Sequence, residues 1–109
     1  MKKKTYKIGL HRGNGRIWLE GKLIESCGFT CGTQYNRVDN IEGGEISLFV
    51  GNNSLFAGTG SRRVTQGNKN GIARAVIDLN DATILQRFAG FTRVEVEFRQ
   101  NMLIYRGAK

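Results

Sequence analysis

The apolar positions of this chain spell the same succession of elements twice. In the first copy "RIWL" alternates as a short strand, and Leu23, Ile24 and Cys27 follow at i, i+1, i+4, one face of a two-turn helix. Gly28 supplies the left-handed residue that ends such a helix. "TQYNRV" then reads as a strand, "NIEGG" as a turn, and "EISLFV" as a returning strand with Ile46, Leu48 and Val50 on one side. In the second copy "ARAVIDL" is a strand through Val76 and Leu79, and Asn80 or Asp81 stands where an N-cap belongs. Ile84, Leu85 and Phe88 repeat the helical face, and Gly90 stops it. "RVEVEF" alternates with Val94, Val96 and Phe98 inward and Arg93, Glu95 and Glu97 outward. "RQN" turns the chain back through "MLIY".

Both copies carry Gly-Phe-Thr, as "CGFT" at 27–30 and "AGFT" at 89–92. The glycine ends the helix, and the phenylalanine drops into the core where helix gives way to strand. One βαββ unit has too little apolar face to stand alone. Two units covering each other predict one α+β domain over 1–109, a small barrel-like fold without exposed edges. An open sheet with both helices on one face is the alternative. The units span 17–50 and 73–106. Between them lies a Gly-rich basic connector, 51–72, too long for a hairpin loop. Within it, "LFAG" and "RRVTQ" read as further short strands.

At 109 residues the chain has room for a core but not for a deep substrate cavity. No apolar run approaches the roughly 18 residues of a membrane span, and the basic start lacks the apolar stretch of a signal peptide. A cytoplasmic protein with no membrane partner is expected. The net charge of +8 changes the picture through its placement. Residues 1–16 hold Lys2, Lys3, Lys4, Lys7, Arg12 and Arg16 without an acid, and residues 51–75 hold Arg62, Arg63, Lys69 and Arg74 without one. Segregated charge repels itself unless a polyanion offsets it. These ten residues are the candidate nucleic-acid contacts, against the plainer reading of a solvated tail and linker.

Other chemistry is sparse. "HRGNGR", 11–16, is either a phosphate cradle or a tight turn before a strand. Trp18, Tyr6, Tyr35 and Tyr105 are the aromatics available for base stacking, although Trp18, between Ile17 and Leu19, reads better as core. Cys27, read as a small apolar filler, and Cys31 have only His11 to join them, short of a zinc set. No metal or cofactor is expected. His11 completes no nucleophilic triad, and Asp78, Asp81, Glu20 and Glu25 sit where helix and strand starts explain them. Nothing asks for an enzyme.

The stretch "IWLEGKLIESCGFTCGT" from Ile17 to Thr33 resembles the SymE-like toxins, relatives of the AbrB/SpoVT swapped-hairpin transcription factors, through Ile17, Leu19, Gly21, Glu25, Gly28, Phe29, Gly32 and Thr33. With the return strand the likeness extends over 17–50. A weaker likeness runs to the N-terminal segment of some bacterial DNA cytosine methyltransferases. It implies no catalysis, because the chain has no proline and so no Pro-Cys nucleophile motif. The first resemblance implies a barrel of two units that binds DNA or RNA through basic side chains, in a toxin–antitoxin or regulatory setting. The second unit of this chain departs from that pattern, so an internal pseudo-dimer or a homodimer is expected. A protein-interaction module, such as a phage-type inhibitor of a nucleic-acid enzyme (an anti-CRISPR, for example), is the alternative function.

Overall fold

Alternating sequence builds strands along most of the chain, in a computed structural model that describes residues 2–40, 42–51 and 62–109. The elements are β1 (Lys2–Lys7), β2 (Gly9–His11), β3 (Asn14–Glu20), α1 (Lys22–Glu25), β4 (Gln34–Asn40) and β5 (Glu45–Val50). They continue as β6 (Arg62–Arg63), β7 (Thr65–Lys69), β8 (Ile72–Asp81), α2 (Ala82–Arg87), β9 (Arg93–Arg99) and β10 (Met102–Ala108). "LFAG" lies outside the described residues. "RRVTQ" is β6 and the start of β7. Among the described residues no helix is long and apolar enough to cross a membrane.

The fold is α+β, two short helices with antiparallel sheet. The strands divide into a six-stranded sheet, β1-β9-β10-β5-β4-β6, and a four-stranded sheet, β2-β3-β8-β7. Neither is the single open sheet considered as the alternative. β1 runs on into β2 through Ile8, whose N–H donates to the Thr92 carbonyl at 2.9 Å. β6 runs on into β7 through Val64, which donates to the Thr33 carbonyl and accepts from the Gly32 N–H, both at 2.9 Å. The two edge strands of the large sheet thus continue as the two edge strands of the small one. The halves are also exchanged: β1 pairs with β9, and β6 with β4. Centrally, β3 pairs with β8 and β5 with β10.

The inward rows meet in one core. Ile17 and Leu19 of β3, Ile77 and Leu79 of β8, Ile46 and Leu48 of β5, and Val94, Val96 and Phe98 of β9 all belong to it. Ile24 and Ile84 anchor the two helices there. After α1, the Phe29 N–H reaches the Ile24 carbonyl and the Gly28 N–H the Glu25 carbonyl, with Gly28 at φ 99°. This paired closure requires a left-handed residue and delivers Phe29 to the core. The helix itself is shorter than the two turns its spacing predicts. In the second unit Phe88 is buried, but Leu85, expected on the same face, is 44% exposed.

One buried charge ties the sheets together. Arg37 of β4, only 5% exposed, points inward beside Tyr35. Its guanidinium donates to both Asp39 oxygens at 2.7 and 2.9 Å, to Asp81 at 2.5 Å and to the Thr83 hydroxyl at 2.8 Å. Asp81 caps α2 by accepting from the Thr83 N–H at 2.9 Å, and Arg87 closes the cluster onto Asp39 at 3.1 Å. Burial pushes both carboxyls up, but hydrogen bonds from Arg37, with Thr83 at Asp81 and Arg87 at Asp39, outweigh it and hold both below the usual range. Desolvation lowers Arg37 in turn, and its hydrogen bonds to Asp39 and Asp81 override that and raise it.

Cations cover the acids on the outer face of the large sheet. Glu97 alternates outward as its strand predicts, yet is 4% exposed because cations cover it. Arg99 and Arg106 both bond it, Lys3 lies 4.0 Å away, and Arg106 also reaches Glu45 at 2.7 Å.

Two outcomes test this account. Gly28→Ala combines left-handed strain with a Cβ placed 2.5 Å from Asn101 Oδ1, whereas Gly32, at φ 83°, has nothing within 4 Å. Gly28→Ala should cost about 2–3 kcal/mol and Gly32→Ala about 1 kcal/mol in denaturant unfolding. For Arg37, depressed carboxyls mean that the folded state binds protons less readily than the unfolded chain. Its stability contribution is therefore full above the unfolded aspartate range near about pH 4, and is lost as pH falls through the folded values. Arg37→Met should cost about 2–4 kcal/mol at pH 7 and flatten the acid limb of the stability–pH curve below about pH 4.

Candidate nucleic-acid interface

Strand parity builds the candidate site. Because Ile17 and Leu19 point into the core, Arg16 and Trp18 must point out of the four-stranded sheet. The same rule turns Asp78 and Asn80 outward, since Ile77 and Leu79 are buried. Register then sets Trp18 directly opposite Asp78 and Arg16 opposite Asn80. Arg16 donates to Asp78 through two nitrogens, at 3.0 and 2.8 Å, a fork that fixes the guanidinium plane. That plane lies over the indole, 4.7 Å from its centroid. Its hydrogen bonds to Asp78 raise the pKa of Arg16 further, so it stays charged.

Trp18 is therefore not core. It is 43% exposed, and leaving that much indole in water forgoes about 2 kcal/mol of burial. Of the other aromatic candidates, Tyr35 and Tyr105 are buried, and Tyr6 packs edge-on to Phe98 at 6.5 Å. Trp18 alone of the four offers a substantial aromatic surface to solvent.

Both acid-poor tracts reach this sheet. β2 and β3 are joined by Arg12 and Gly13, at φ 52° and 83°, so "HRGNGR" is a hairpin turn that lifts Arg12 beyond the strand ends. β7 and β8 are joined by Asn70 and Gly71, at φ 54° and 79°. Asn-Gly is the strongest short-range hairpin signal, and here it joins the strand that begins in "RRVTQ" to the one that contains "ARAVIDL". Lys69 stands opposite Ile72, and Arg74 opposite Gly67, on the same outer side as Trp18. Arg74 also lies against Gly21 and, with Lys22, Glu25, Ile72 and Ala73, lines a recess of about 520 Å³. Among the described residues, Arg12, Lys69 and Arg74 have no carboxylate partner. The four-stranded sheet is three strand steps wide, about 14 Å.

The remaining candidates are spread more widely. Lys2, Lys3, Lys4 and Lys7 form the β1 edge of the large sheet, and Arg62 and Arg63 the β6 edge, five strand steps or about 24 Å away. Neither set is a flexible arm where it is described: Lys2–Lys7 is fully paired with β9. Lys3 is 3.9 Å from Glu95, Lys4 sits 5.5 Å from the Tyr6 ring centroid, and Arg63 donates to the Gly32 carbonyl at 3.1 Å. The acids differ too. Asp81 is the expected cap, but Asp78 clamps Arg16 and Glu25 accepts from the Ala75 N–H at 3.2 Å. Cys27 is buried and Cys31 exposed, both as free thiols. Among the described residues no three His, Cys, Asp or Glu side chains converge.

No family model matches the chain, nor does any curated protein or solved structure.

The indole is the chain's single tryptophan, so its fluorescence reports this face alone. Acrylamide should quench it readily in the folded protein. Asp78→Ala should shift the emission by releasing Arg16 while leaving the denaturation midpoint nearly unchanged; an unchanged spectrum would mean the stacked pair does not form.

Proposed function

We propose that the protein is a non-catalytic nucleic-acid-binding protein of SymE/AbrB-like architecture. In this reading the two sheets act as one barrel, closed where the chain passes through Ile8 and Val64, and the second unit takes the place of a dimer partner. The observation that carries the proposal is the meeting of two acid-poor tracts, distant in sequence, across one narrow sheet. Arg16 comes from the first tract, with Trp18 just beyond it on the same strand, and Lys69 and Arg74 come from the second. Around the two corners the positive charge continues onto Lys7 and the β1 edge on one side and onto Arg63 and the β6 edge on the other. Meanwhile Glu45, Glu95 and Glu97 are engaged on the large sheet, and Asp39 and Asp81 with Arg37. Phosphate contacts position a protein on nucleic acid, and lysine and arginine supply them without demanding a sequence.

A second reading has one observation of its own. Leu10 and Ile72 are 73% and 64% exposed at the ends of the same sheet, which suits a protein partner whose acidic, nucleic-acid-like surface meets the basic residues.

Salt dependence separates them from no binding at all. With about six phosphates contacted, log K for an oligonucleotide should fall against log salt with a slope near about −5. Lys69→Ala with Arg74→Ala should reduce that slope by about 2 and weaken all sequences alike. A slope unaltered by the double variant moves the contacts off this face, and no binding at low salt rejects the proposal.

A further inference from the structure

We infer that the four-stranded face takes single-stranded nucleic acid, DNA or RNA, with one unpaired base stacked on Trp18; the inference rests on the nucleic-acid reading above. Inside a duplex each base has both faces covered by its neighbours, so an aromatic side chain on a protein surface can stack only on a base that is unpaired or splayed out. Duplex readout instead requires an element that enters a groove. Trp18 stands on β3, one of the two central strands of this sheet, with Arg16 and Glu20 outward beside it and Asp78 opposite. A side chain placed there meets a flat ligand rather than a groove.

The geometry around the indole is built before any ligand arrives. Asp78 holds Arg16 at two nitrogens, and Arg16 holds the ring at 4.7 Å. One π-face is thus backed by a held cation, and the residue keeps 43% of its surface exposed for a base to stack on. Rigid aromatic surface binds with little conformational cost, and stacking tolerates any base because each has a π-face. Glu20 has no partner among the described residues and can accept from the exocyclic amino group of a stacked base. The phosphates have their contacts at both ends of the strand direction. Arg12 lies about six residues from Trp18 along the first hairpin, roughly 20 Å, and Arg74 about four residues from Asp78 along β8, roughly 13 Å. A single strand of several nucleotides spans that track.

The test uses the full chain and one mixed-sequence 12-mer in three forms: single-stranded DNA, single-stranded RNA, and a hairpin-closed duplex. Binding is followed by anisotropy of the labelled oligonucleotide and by Trp18 fluorescence at constant salt. The single strands should bind at least about tenfold more tightly than the duplex and quench Trp18. Trp18→Ala should lose about tenfold on the single strands with an unchanged salt slope, and Trp18→Phe should retain most of the affinity. The DNA and RNA arms show whether the sugar matters. Because more than half of Trp18 is covered, Trp18→Ala should melt below the parent protein and Trp18→Phe close to it, and binding is compared well below both midpoints. Equal or tighter duplex binding, or single-strand binding indifferent to Trp18→Ala, overturns this inference and leaves the nucleic-acid reading standing. Failure of all three oligonucleotides to bind overturns both.

Discussion

A guanidinium buried between two sheets sets the terms for the rest of this structure. Arg37 leaves β4 on the core side, where hydrophobic burial alone would reject it. It is tolerated because Asp39, Asp81 and Thr83 surround it. An unpaired charge in that position would cost several kcal/mol, so the carboxylates must arrive together with the arginine. Asp39 arrives from the same strand, but Asp81 comes from the junction of β8 and α2, in the other half of the chain. The cluster therefore specifies how the large sheet sits on the small one. A slip of β4 by one residue would turn Val38 inward and Arg37 out to solvent, leaving Asp81 without its cation.

Where the carboxylates go decides where the positive charge is left. Asp39 and Asp81 are held by the interior cluster, and Glu45, Glu95 and Glu97 sit among Lys3, Arg99 and Arg106 on the outer face of the large sheet. Asp78 serves to lock Arg16 rather than to cancel its neighbours. The +8 of the chain is thus unevenly distributed in space as well as in sequence. The large sheet carries an excess of cations along its β1 and β6 edges, while on the small sheet and its two hairpin turns Arg12, Lys69 and Arg74 have no carboxylate partner among the described residues.

Much of the local architecture was legible. Ile17 and Leu19 in β3, Val94, Val96 and Phe98 in β9, the Asp81 cap, and the left-handed Gly28 and Gly90 all stand where alternation and helix-stop rules put them. Three parts were not. "KKKTYK" has no apolar alternation, and Lys2–Lys7 becomes a strand because β9 offers it a complete set of hydrogen-bonding partners. The Asn70-Gly71 turn was readable from its dipeptide, but the polar "TQGNK" before it hides an edge strand whose exposed side chains need no apolar row. Trp18, whose hydrophobicity suggests the core, faces solvent because strand parity outranks it. Its buried neighbours on both sides already implied that it faces out.

By itself, then, the amino-acid sequence determined which way the residues of β3, β5 and β9 point and which glycines take the left-handed conformation after the helices. These follow from the two-residue period of extended backbone and the steric demands of single glycines, properties that act within a few residues. Tertiary structure alone decided that β1 and β6 cross to the opposite half, that Asp78 meets Arg16, and that Lys69 and Arg74 share a face with Trp18. Such pairings depend on strands far apart in the chain finding a register, and no local window of sequence contains both partners.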